Sequence, residues 1–266
     1  MEAEQLSKEG TKELIVIAQE TTVYGVDLYG EKRLSKLLHE LCKIDGIEWV
    51  RLLYCYPEEI TEELVQTIKT EKKICHYLDL PIQHCNDDIL KRMGRKTTQA
   101  DLREKISMLR KEIPDIALRT TLISGFPGET NENHEECVDF VANMKFERLG
   151  VFPYSPEEGT PAAGYDRQVP EEIKQEWADE IMQTEQNVIF AQNEEMIGRR
   201  LSVIVDGYLP EDGVYVGRTY RDAPEIDGCL FFEAPYEIIS GTILPVLVTD
   251  ANGYDLIGEI LPEEDD

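Results

Sequence analysis

The segment at residues 118–129 constrains the fold more than any other part of the sequence. Its first seven residues, Leu-Arg-Thr-Thr-Leu-Ile-Ser, are typical of a strand, and they break into a Gly-Phe-Pro-Gly turn that opens a helical pattern. Gly125 and Gly128 can take positive φ or lie flat against a ligand, and Pro127 fixes the turn between them. Because ligands of α/β sheets bind where strands end and helices begin, the segment predicts a binding turn. The alternative is a turn that only connects two elements.

Strand-like runs and helical patterns alternate along the first part of the chain. Apolar stripes at helical spacing begin at Leu34 and at Leu102, the second behind Thr98 as a predicted N-cap, and a third helix is predicted at residues 131–144. Units of about 30 to 40 residues of this kind predict βαβ crossovers and a parallel sheet. The predicted strands are residues 13–18, 48–53, 76–80, 116–123 and 147–152.

The first of these units is expected to be incomplete. Residues 2–9 predict the last turns of a helix, with Gly10 as the C′ residue that ends it. A domain that begins part-way through a helix ordinarily has a strand before it. We therefore expect the first strand of the α/β domain to be missing and the strand at 13–18 to have an unpaired edge.

The sequence changes character after Pro170. A long helix is predicted there, with Pro170 at its first position and Ile173, Trp177 and Ile181 on one apolar stripe. Five short β-type runs follow at residues 201–205, 214–220, 230–232, 242–249 and 254–260, which predicts a small closed antiparallel barrel of the OB type. The predicted divisions are an α/β domain at 1–169, a connecting helix at 170–197, the barrel at 198–262 and an acidic tail at 263–266.

The net charge is strongly negative. With 27 Lys and Arg against 54 Asp and Glu, the 266 residues carry a charge of −27, which repels a phosphate backbone and favours a basic partner protein. After residue 198, four Arg and no Lys stand against fifteen acidic residues, the opposite of a barrel that binds nucleic acid. Simple solubility is the alternative explanation for this charge.

Composition also argues against a membrane protein and a disulfide-stabilised one. No apolar run approaches the roughly 20 residues that span a bilayer, and the N-terminus has no signal pattern, so we expect a cytoplasmic protein without membrane contact. The cysteines are scattered without a CxxC pair or zinc-site spacing, so buried free thiols are expected rather than disulfides or a metal site. They are Cys42, Cys55, Cys75, Cys85, Cys137 and Cys229.

Four ordered motifs carry a resemblance to a known family. They are Ala-Gln-Glu-Thr-Thr-Val-Tyr-Gly at 18–25, Pro-Ile-Gln-His at 81–84 with Leu-Lys-Arg-Met-Gly-Arg at 90–95, the segment 119–129, and Tyr-Ser-Pro-Glu-Glu-Gly-Thr-Pro-Ala at 154–162. Together they resemble the radical S-adenosylmethionine methylthiotransferases, and within them the RimO branch that modifies an aspartate of a small-subunit ribosomal protein. The resemblance implies an α/β fold: a partial radical-SAM (β/α)6 barrel without its first strand, followed by a small all-β, OB-like TRAM barrel.

These motifs all end strands, where a parallel barrel places its active site. The resemblance implies that they line a pocket for S-adenosylmethionine, with the glycine turn near the adenosine and Gln83 and Arg119 near the ribose or the carboxylate. Gln19 as a cap, Arg119 in a structural ion pair and His84 as a satisfied buried group are the alternatives. No catalytic or metal-binding residue is predicted, and the predicted cofactor-binding residues are Gln19, Thr21, Thr22, Gln83, His84, Arg119, Ser124, Gly125, Phe126, Pro127, Gly128, Glu129, Tyr154 and Ser155.

The chemistry of the family requires a four-iron cluster held by three cysteines in a CxxxCxxC loop. No three cysteines here have that spacing, and a convergence in space of Cys42, Cys55 and Cys85 is disfavoured. Three hypotheses follow: a RimO-type enzyme that is active only as the full-length protein, a tRNA-adenosine methylthiotransferase like MiaB, and a non-enzymatic fragment. The acidic barrel and the Gln-Glu-Thr-Thr motif favour the first, with a basic small-subunit ribosomal protein as partner and nucleic acid disfavoured.

Overall fold

The computed structural model describes residues 1–261, which form a five-stranded α/β unit followed by a closed β-barrel. The helices are α1 (Glu2–Lys8), α2 (Val26–Tyr29), α3 (Leu34–Cys42), α4 (Glu62–Thr70), α5 (Asp87–Arg92), α6 (Gln99–Glu112), α7 (Asn131–Met144) and α8 (Glu171–Glu194). The strands are β1 (Glu13–Val16), β2 (Trp49–Leu52), β3 (Ile74–Asp79), β4 (Ala117–Ser124), β5 (Arg148–Pro153), β6 (Arg200–Leu209), β7 (Val214–Arg218), β8 (Leu230–Glu233), β9 (Ile243–Asn252) and β10 (Asp255–Ile260).

The sheet of the N-terminal unit is parallel and runs in the order β1-β2-β3-β4-β5. The predicted parallel sheet is confirmed, and each of its predicted strands starts and ends within two residues of an observed one. Among the described residues β1 pairs with β2 alone, so it forms an edge of the sheet.

Helices cover one face of this sheet because its alternate residues are apolar. Leu52 and Leu118 of the strands pack there with Leu38, Ile68 and Phe140 of the helices, all buried in one cluster. α6 and α7 each begin with a capping box, and the one formed by the Thr98 side chain confirms that predicted N-cap. α2, α4 and α5 were not predicted; α2 and α4 lie between the sequence motifs, and α5 overlaps the motif at 90–95.

α8 packs against both units. It contacts β5, β4 and α7 of the α/β unit, where Ile181 joins the main core, and it contacts β9 of the barrel. Trp177 is also buried, where its ring stacks on His134 of α7 at 4.9 Å. Pro170 is the N-cap of α8 rather than its first residue, because its extended ψ of 144° precedes the helical turn.

The C-terminal unit is a closed barrel in the order β10-β8-β7-β6-β9. The closed barrel is confirmed, but it is not wholly antiparallel, since β8 and β10 pair in parallel. Val203, Phe232, Val246 and Leu256 fill its core. The predicted acidic tail lies outside the described residues, and within residues 1–261 no helix is both long and apolar enough to cross a membrane.

Candidate functional site

The face of the parallel sheet that the helices do not cover is called here the inner face. Because side chains alternate along a strand, every second residue points to it. Its lower half, at the amino ends of the strands, carries Glu13, Arg51, Cys75, Tyr77, Ala117 and Arg148. Its upper half, at the carboxyl ends, carries Ile15, Ile17, Thr121, Ile123 and Phe152.

The lower half is filled by a loop of the C-terminal barrel, residues 219–228, called here the barrel loop. The fully buried guanidinium of Arg51 donates to the carbonyl oxygens of Tyr220 at 2.6 Å and Thr219 at 3.3 Å. Arg51 also pairs with Glu13 at 2.7 Å, and the second oxygen of Glu13 pairs with Arg218 at the end of β7, also at 2.7 Å. Buried charges are therefore matched across the two units.

Polar and charged pairs between the sheet and the barrel loop continue towards β5. Arg148 pairs with Asp222 of the barrel loop, and the Tyr77 hydroxyl donates to Asp227 at 2.8 Å. Burial opposes the charge of Asp222, but Arg148 and Arg221 outweigh it and lower the pKa of that carboxyl. Burial and then Asp227 raise the pKa of Tyr77 well above its usual value, so it stays a neutral donor.

Arg119 lies between the two halves. Its Nη1 donates to Asp79 at 2.9 Å, and its Nε lies 3.5 Å from Asp227 of the barrel loop. Burial works against its charge, yet the neighbouring acids prevail and its pKa is raised. Within the described residues no hydrogen bond is formed by its Nη2, and 18% of the side chain stays exposed. Arg119 therefore forms the structural ion pair that was its alternative role, and its Nη2 remains without a hydrogen-bond partner among the described residues.

The upper half is open and apolar. Exposed fractions are 38% for Ile15, 56% for Ile17, 47% for Tyr54 and 59% for Phe152. Tyr54 follows β2 and has a positive φ of 56°, and Gln83 follows β3 with a φ of 70°. Non-glycine residues in this region are strained, and such strain concentrates at functional sites. An exposed apolar surface beside strained strand ends is a candidate binding surface.

Several predicted site residues instead hold the strand ends together. The Thr21 hydroxyl donates to the Leu53 carbonyl oxygen at 2.6 Å, and the Ser124 hydroxyl donates to that of Lys174 at 2.8 Å. Thr22 is bound by the Glu20 carboxylate, which accepts from its backbone N–H at 2.9 Å. Thr21, Thr22 and Ser124 are buried at 2% exposure or less, so their hydroxyls act within the chain.

The turn after β4 is likewise bound by its own chain. Glu129 accepts from the backbone N–H of Phe126 at 3.0 Å, and its other oxygen lies 3.2 Å from Nε2 of His84. Nδ1 of His84 accepts from the backbone N–H of Asn86 at 2.9 Å. His84 is therefore hydrogen-bonded through Nδ1, whereas its buried Nε2 lies beside Glu129 Oε1 without forming a hydrogen bond.

The two glycines of this turn allow close packing of the chain on itself. A Cβ on Gly125 would overlap the Lys174 side chain, and one on Gly128 would lie 2.9 Å from the Arg92 guanidinium carbon. Both glycines have positive φ, as the sequence predicts. The Pro127 carbonyl oxygen accepts from Arg92 Nε at 2.9 Å. Side chains of the protein itself therefore pack against both glycines. A ligand could approach only the other backbone atoms of the turn.

The rest of the predicted set borders the open half. Gln19 and Ser155 are exposed, and Gln83 is half-buried, with its backbone held by Thr121 and Ile123 of β4. Phe126 packs edge-on against Tyr154 at 5.1 Å, and the buried Tyr154 hydroxyl has no hydrogen-bond partner. The structure therefore divides the predicted site into an open rim and a buried support.

Three residues of this region were missed by the sequence reasoning: Glu20, Tyr54 and Asp79. Glu20 bridges the loops after β1 and β2, and its buried Oε2 has no partner. Asp79 accepts from Arg119 and from the backbone N–H of Tyr54 at 3.1 Å. Glu20 and Asp79 could have been identified, because Glu20 lies in the motif at 18–25 and Asp79 lies at the end of a predicted strand. The strained backbone of Tyr54 has no sequence signal.

One group of potential metal donors lies near the turn. Among residues 1–261, the ligand atoms of His84, Cys85 and Cys137 lie within 4.8 Å of one another. Hydrogen bonding to Cys85 and then burial raise the pKa of the Cys137 thiol well above its usual value. Metal binding needs thiolates and a free imidazole nitrogen. The raised pKa of the Cys137 thiol disfavours a metal here, although Nε2 of His84 has no hydrogen-bond partner.

The family model of the radical SAM superfamily matches residues 1–141, more than half of the chain. The chain belongs to the radical SAM superfamily. The TRAM domain model matches residues 197–261, which include the whole closed barrel. The α/β unit is therefore a radical SAM fold, and the barrel is a TRAM domain.

Curated relatives of this radical SAM protein share both units. It is 59% identical over 257 residues to the ribosomal protein uS12 methylthiotransferase RimO of Lachnoclostridium phytofermentans, covering 97% of this chain and 58% of that protein. It is 50% identical over 262 residues to the protein of the same name from Clostridium botulinum strain Hall, covering 98% and 58%. The chain thus spans just over half the length of these relatives. A solved structure, Methanocaldococcus infernus Elp3, matches with a TM-score of 0.48 and 18% identity over 69% of this chain and 47% of that one.

The superfamily implies two bound groups, S-adenosylmethionine and a four-iron cluster, and the residues of this chain fit only the first. Orphaned buried oxygens of Glu20 and Tyr154 beside the open rim suit a polar ligand such as S-adenosylmethionine. A four-iron cluster needs three convergent thiolates, and none of the described cysteines forms such a set with two others. The cysteines of this chain therefore do not fit the cluster.

Proposed function

We propose that this chain supplies the S-adenosylmethionine-binding and substrate-binding parts of a RimO-type methylthiotransferase. Such an enzyme adds a methylthio group to the β-carbon of an aspartate in the small-subunit protein uS12. The observation that carries the proposal is the 59% identity to a named RimO across 97% of the chain, spanning both the α/β unit and the TRAM barrel. By itself the chain is expected to be inactive, since it lacks a fitting set of cluster ligands.

In this proposal the open upper half of the inner face receives the cofactor and the substrate. The cofactor, when bound, supplies the radical that abstracts hydrogen from the substrate. Gln19, Gln83 and Ser155 would contact it at the rim, together with Glu20, whose free oxygen suits the amino group. The apolar side chains of Ile17 and Phe152 would exclude water from the reacting atoms.

The partner proposed here is a basic ribosomal protein in the cytoplasm, bound through the acidic TRAM barrel. Arg218 and Arg221 of that barrel are buried, where Arg218 pairs with Glu13 and Asp206, and Arg221 donates to Asn193. Two of the four arginines after residue 198 are thereby removed from the surface. This supports a basic protein over tRNA, because nucleic-acid binding depends on exposed cations.

A chimera tests the enzymatic proposal. The matching 257 residues of the L. phytofermentans RimO are replaced by this chain, and uS12 is examined by mass spectrometry after anaerobic reconstitution. We expect the mass gain of one methylthio group on an aspartate. A chimera that cleaves S-adenosylmethionine but modifies tRNA instead would replace the proposal by the tRNA hypothesis, and one that modifies neither would refute both.

Cofactor contact is tested separately by equilibrium dialysis of labelled S-adenosylmethionine against the chimera. Gln83→Ala should weaken binding about tenfold, as the loss of a hydrogen bond to a charged group does. Gln66→Ala, an exposed glutamine on α4, is the matched control and should leave binding unchanged. Equal affinities for the two variants would remove Gln83 from the proposed site.

A further inference from the structure

A cavity of about 450 Å³ lies at the edge of the inner face, between β5, α8 and the barrel loop. Both units line it. Arg119, Arg148, Gly150 and Glu185 come from the α/β unit, and Asp227 and Tyr254 come from the TRAM barrel. Gly150 of its lining lies next to the exposed Phe152 of the same strand, since a Cβ on Gly150 would lie 3.7 Å from the Phe152 ring. Through β5 the cavity is therefore connected to the open upper half.

Two buried polar atoms of side chains that line this cavity have no partner. Arg148 is 5% exposed and its Nε has no acceptor, although its other nitrogens bond to Asp222 and to the Glu147 carbonyl oxygen. Glu185 is 1% exposed, and its Oε1 has no partner while Oε2 accepts from the Tyr254 hydroxyl at 2.6 Å. Buried polar groups without a partner destabilise the fold, and so they mark places where a ligand supplies the missing bonds.

The chemistry of the missing ligand follows from these atoms. Arg148 Nε and Arg119 Nη2 are donors attached to cations, which favour a carboxylate oxygen. Burial raises the pKa of Glu185 to about 7, so its free oxygen can carry a proton and donate to a carboxylate as well. The three side chains that carry these atoms all line one cavity, and two of them are cations, which favours a carboxyl side chain over a neutral amide.

We propose that this cavity binds the side-chain carboxylate of the substrate aspartate, with Arg119 and Arg148 as its donors and Asp227 as the residue that positions Arg119. The inference rests on the proposed function, because the carboxyl group is bonded directly to the β-carbon that such an enzyme modifies. Holding the carboxylate fixes that carbon beside the open half. The TRAM barrel thereby forms one wall of the substrate site rather than only a docking surface.

The test is a double-mutant comparison between the chimera and uS12. Binding is measured for uS12 and for uS12 with its modified aspartate replaced by asparagine. The unsubstituted chimera should bind the aspartate form at least tenfold more tightly. Arg119→Gln should reduce this ratio to near one, Arg119→Lys should retain part of it, and Asp227→Asn should lower it about threefold. Arg103→Gln, on the outer helix α6, should preserve it.

Thermal melts and S-adenosylmethionine affinity complete the test. The Arg119 variants should keep a cooperative melt and an unchanged cofactor affinity. Equal losses for both forms of uS12, or a loss of cofactor affinity, would overturn the carboxylate assignment, since Arg119 would then be structural or contact the cofactor. If Arg119→Gln fails to fold, the ratios for Arg119→Lys and Asp227→Asn decide. A chimera that does not bind uS12 at all refutes the proposed function instead.

Discussion

The lower and upper halves of the inner face are built from the same five strands but surrounded differently. In the lower half, buried arginines and acids of the sheet meet the barrel loop, as Arg51 and Arg148 do. In the upper half, apolar side chains such as Ile17 and Phe152 face solvent. The difference separates two tasks of one surface. Matched charges fix the TRAM barrel to the sheet, and the uncovered strand ends remain free for ligands.

The largest expected effect comes from breaking the packed half at Arg51. Arg51→Ala removes one of the two cations that pair with Glu13. It also removes the donor of two carbonyl oxygens of the barrel loop, at a position where the Arg51 side chain is fully buried. Removing one partner of a buried pair costs about 3–5 kcal/mol of unfolding free energy. Urea denaturation should show this loss, whereas the exposed Lys43→Ala, which breaks a surface pair with Glu40, should change stability by about 0.5 kcal/mol or less. A small loss at Arg51 would mean that the loop is only loosely held.

Next in size is the glycine turn, which lies at the upper end yet is closely packed. Gly125→Ala combines a positive φ of 70° with overlap of the buried Lys174 side chain, which is tied to the Tyr154 carbonyl oxygen at 2.8 Å. Strain and overpacking together should cost about 2–4 kcal/mol. Gly159→Ala has a similar φ of 83° with open space around it, so its cost should be about 1–2 kcal/mol from strain alone. Equal costs would show that Lys174 moves aside.

The sequence predicted the parallel sheet well because each strand is a local apolar run between turn residues. Thr98 and the start of α7 were likewise readable, since a capping box spans only four residues. The parallel pairing of β8 with β10 was missed, because hairpin turns report only the pairing of neighbouring strands. Pairings distant in sequence have no such local signal.

For the candidate site, the sequence motifs could be placed at strand ends, but the contacts of their residues could not be predicted. His84 and Glu129 lie 3.2 Å apart, and each accepts a hydrogen bond from a backbone N–H of the chain. The cavity was missed because Arg148 and Glu185 become unsatisfied only when α8 and the TRAM barrel close over them. Burial of that kind is created by tertiary packing, which residue types and spacing do not record.

The third prediction concerns the cavity, where a substitution is expected to raise the free energy of unfolding instead of lowering it. Burial raises the pKa of Glu185 to about 7 against an ordinary 4.5, although hydrogen bonding to Tyr254 and the charge of Arg148 work the other way. The folded state then holds a proton that the unfolded state has lost, so stability falls as pH rises from about 4.5 through 7.

Glu185→Gln removes this titration and should stabilise the protein by about 1–3 kcal/mol at pH 8, with the gain vanishing near pH 4.5. The comparison is made by urea denaturation across that range. Arg119, Arg148, Asp227, Asp255 and Tyr254 also line the cavity and are left unchanged. The exposed Glu176→Gln on the same helix should show no pH-dependent gain. A gain independent of pH would point to packing rather than to the carboxyl proton.

The smallest effect on stability is expected where the face is open. Phe152 is 59% exposed, so Phe152→Ala should change the unfolding free energy by about 0.5 kcal/mol or less, while the fully buried Phe140→Ala should lose about 3–5 kcal/mol. The same Phe152 change should weaken binding of uS12 to the chimera severalfold, because the ring lies next to Gly150, which lines the cavity. A residue that contributes to binding but not to stability is what an open site requires. If Phe152→Ala instead destabilised the fold and left binding intact, the division between a packed and an open half would be wrong at that strand.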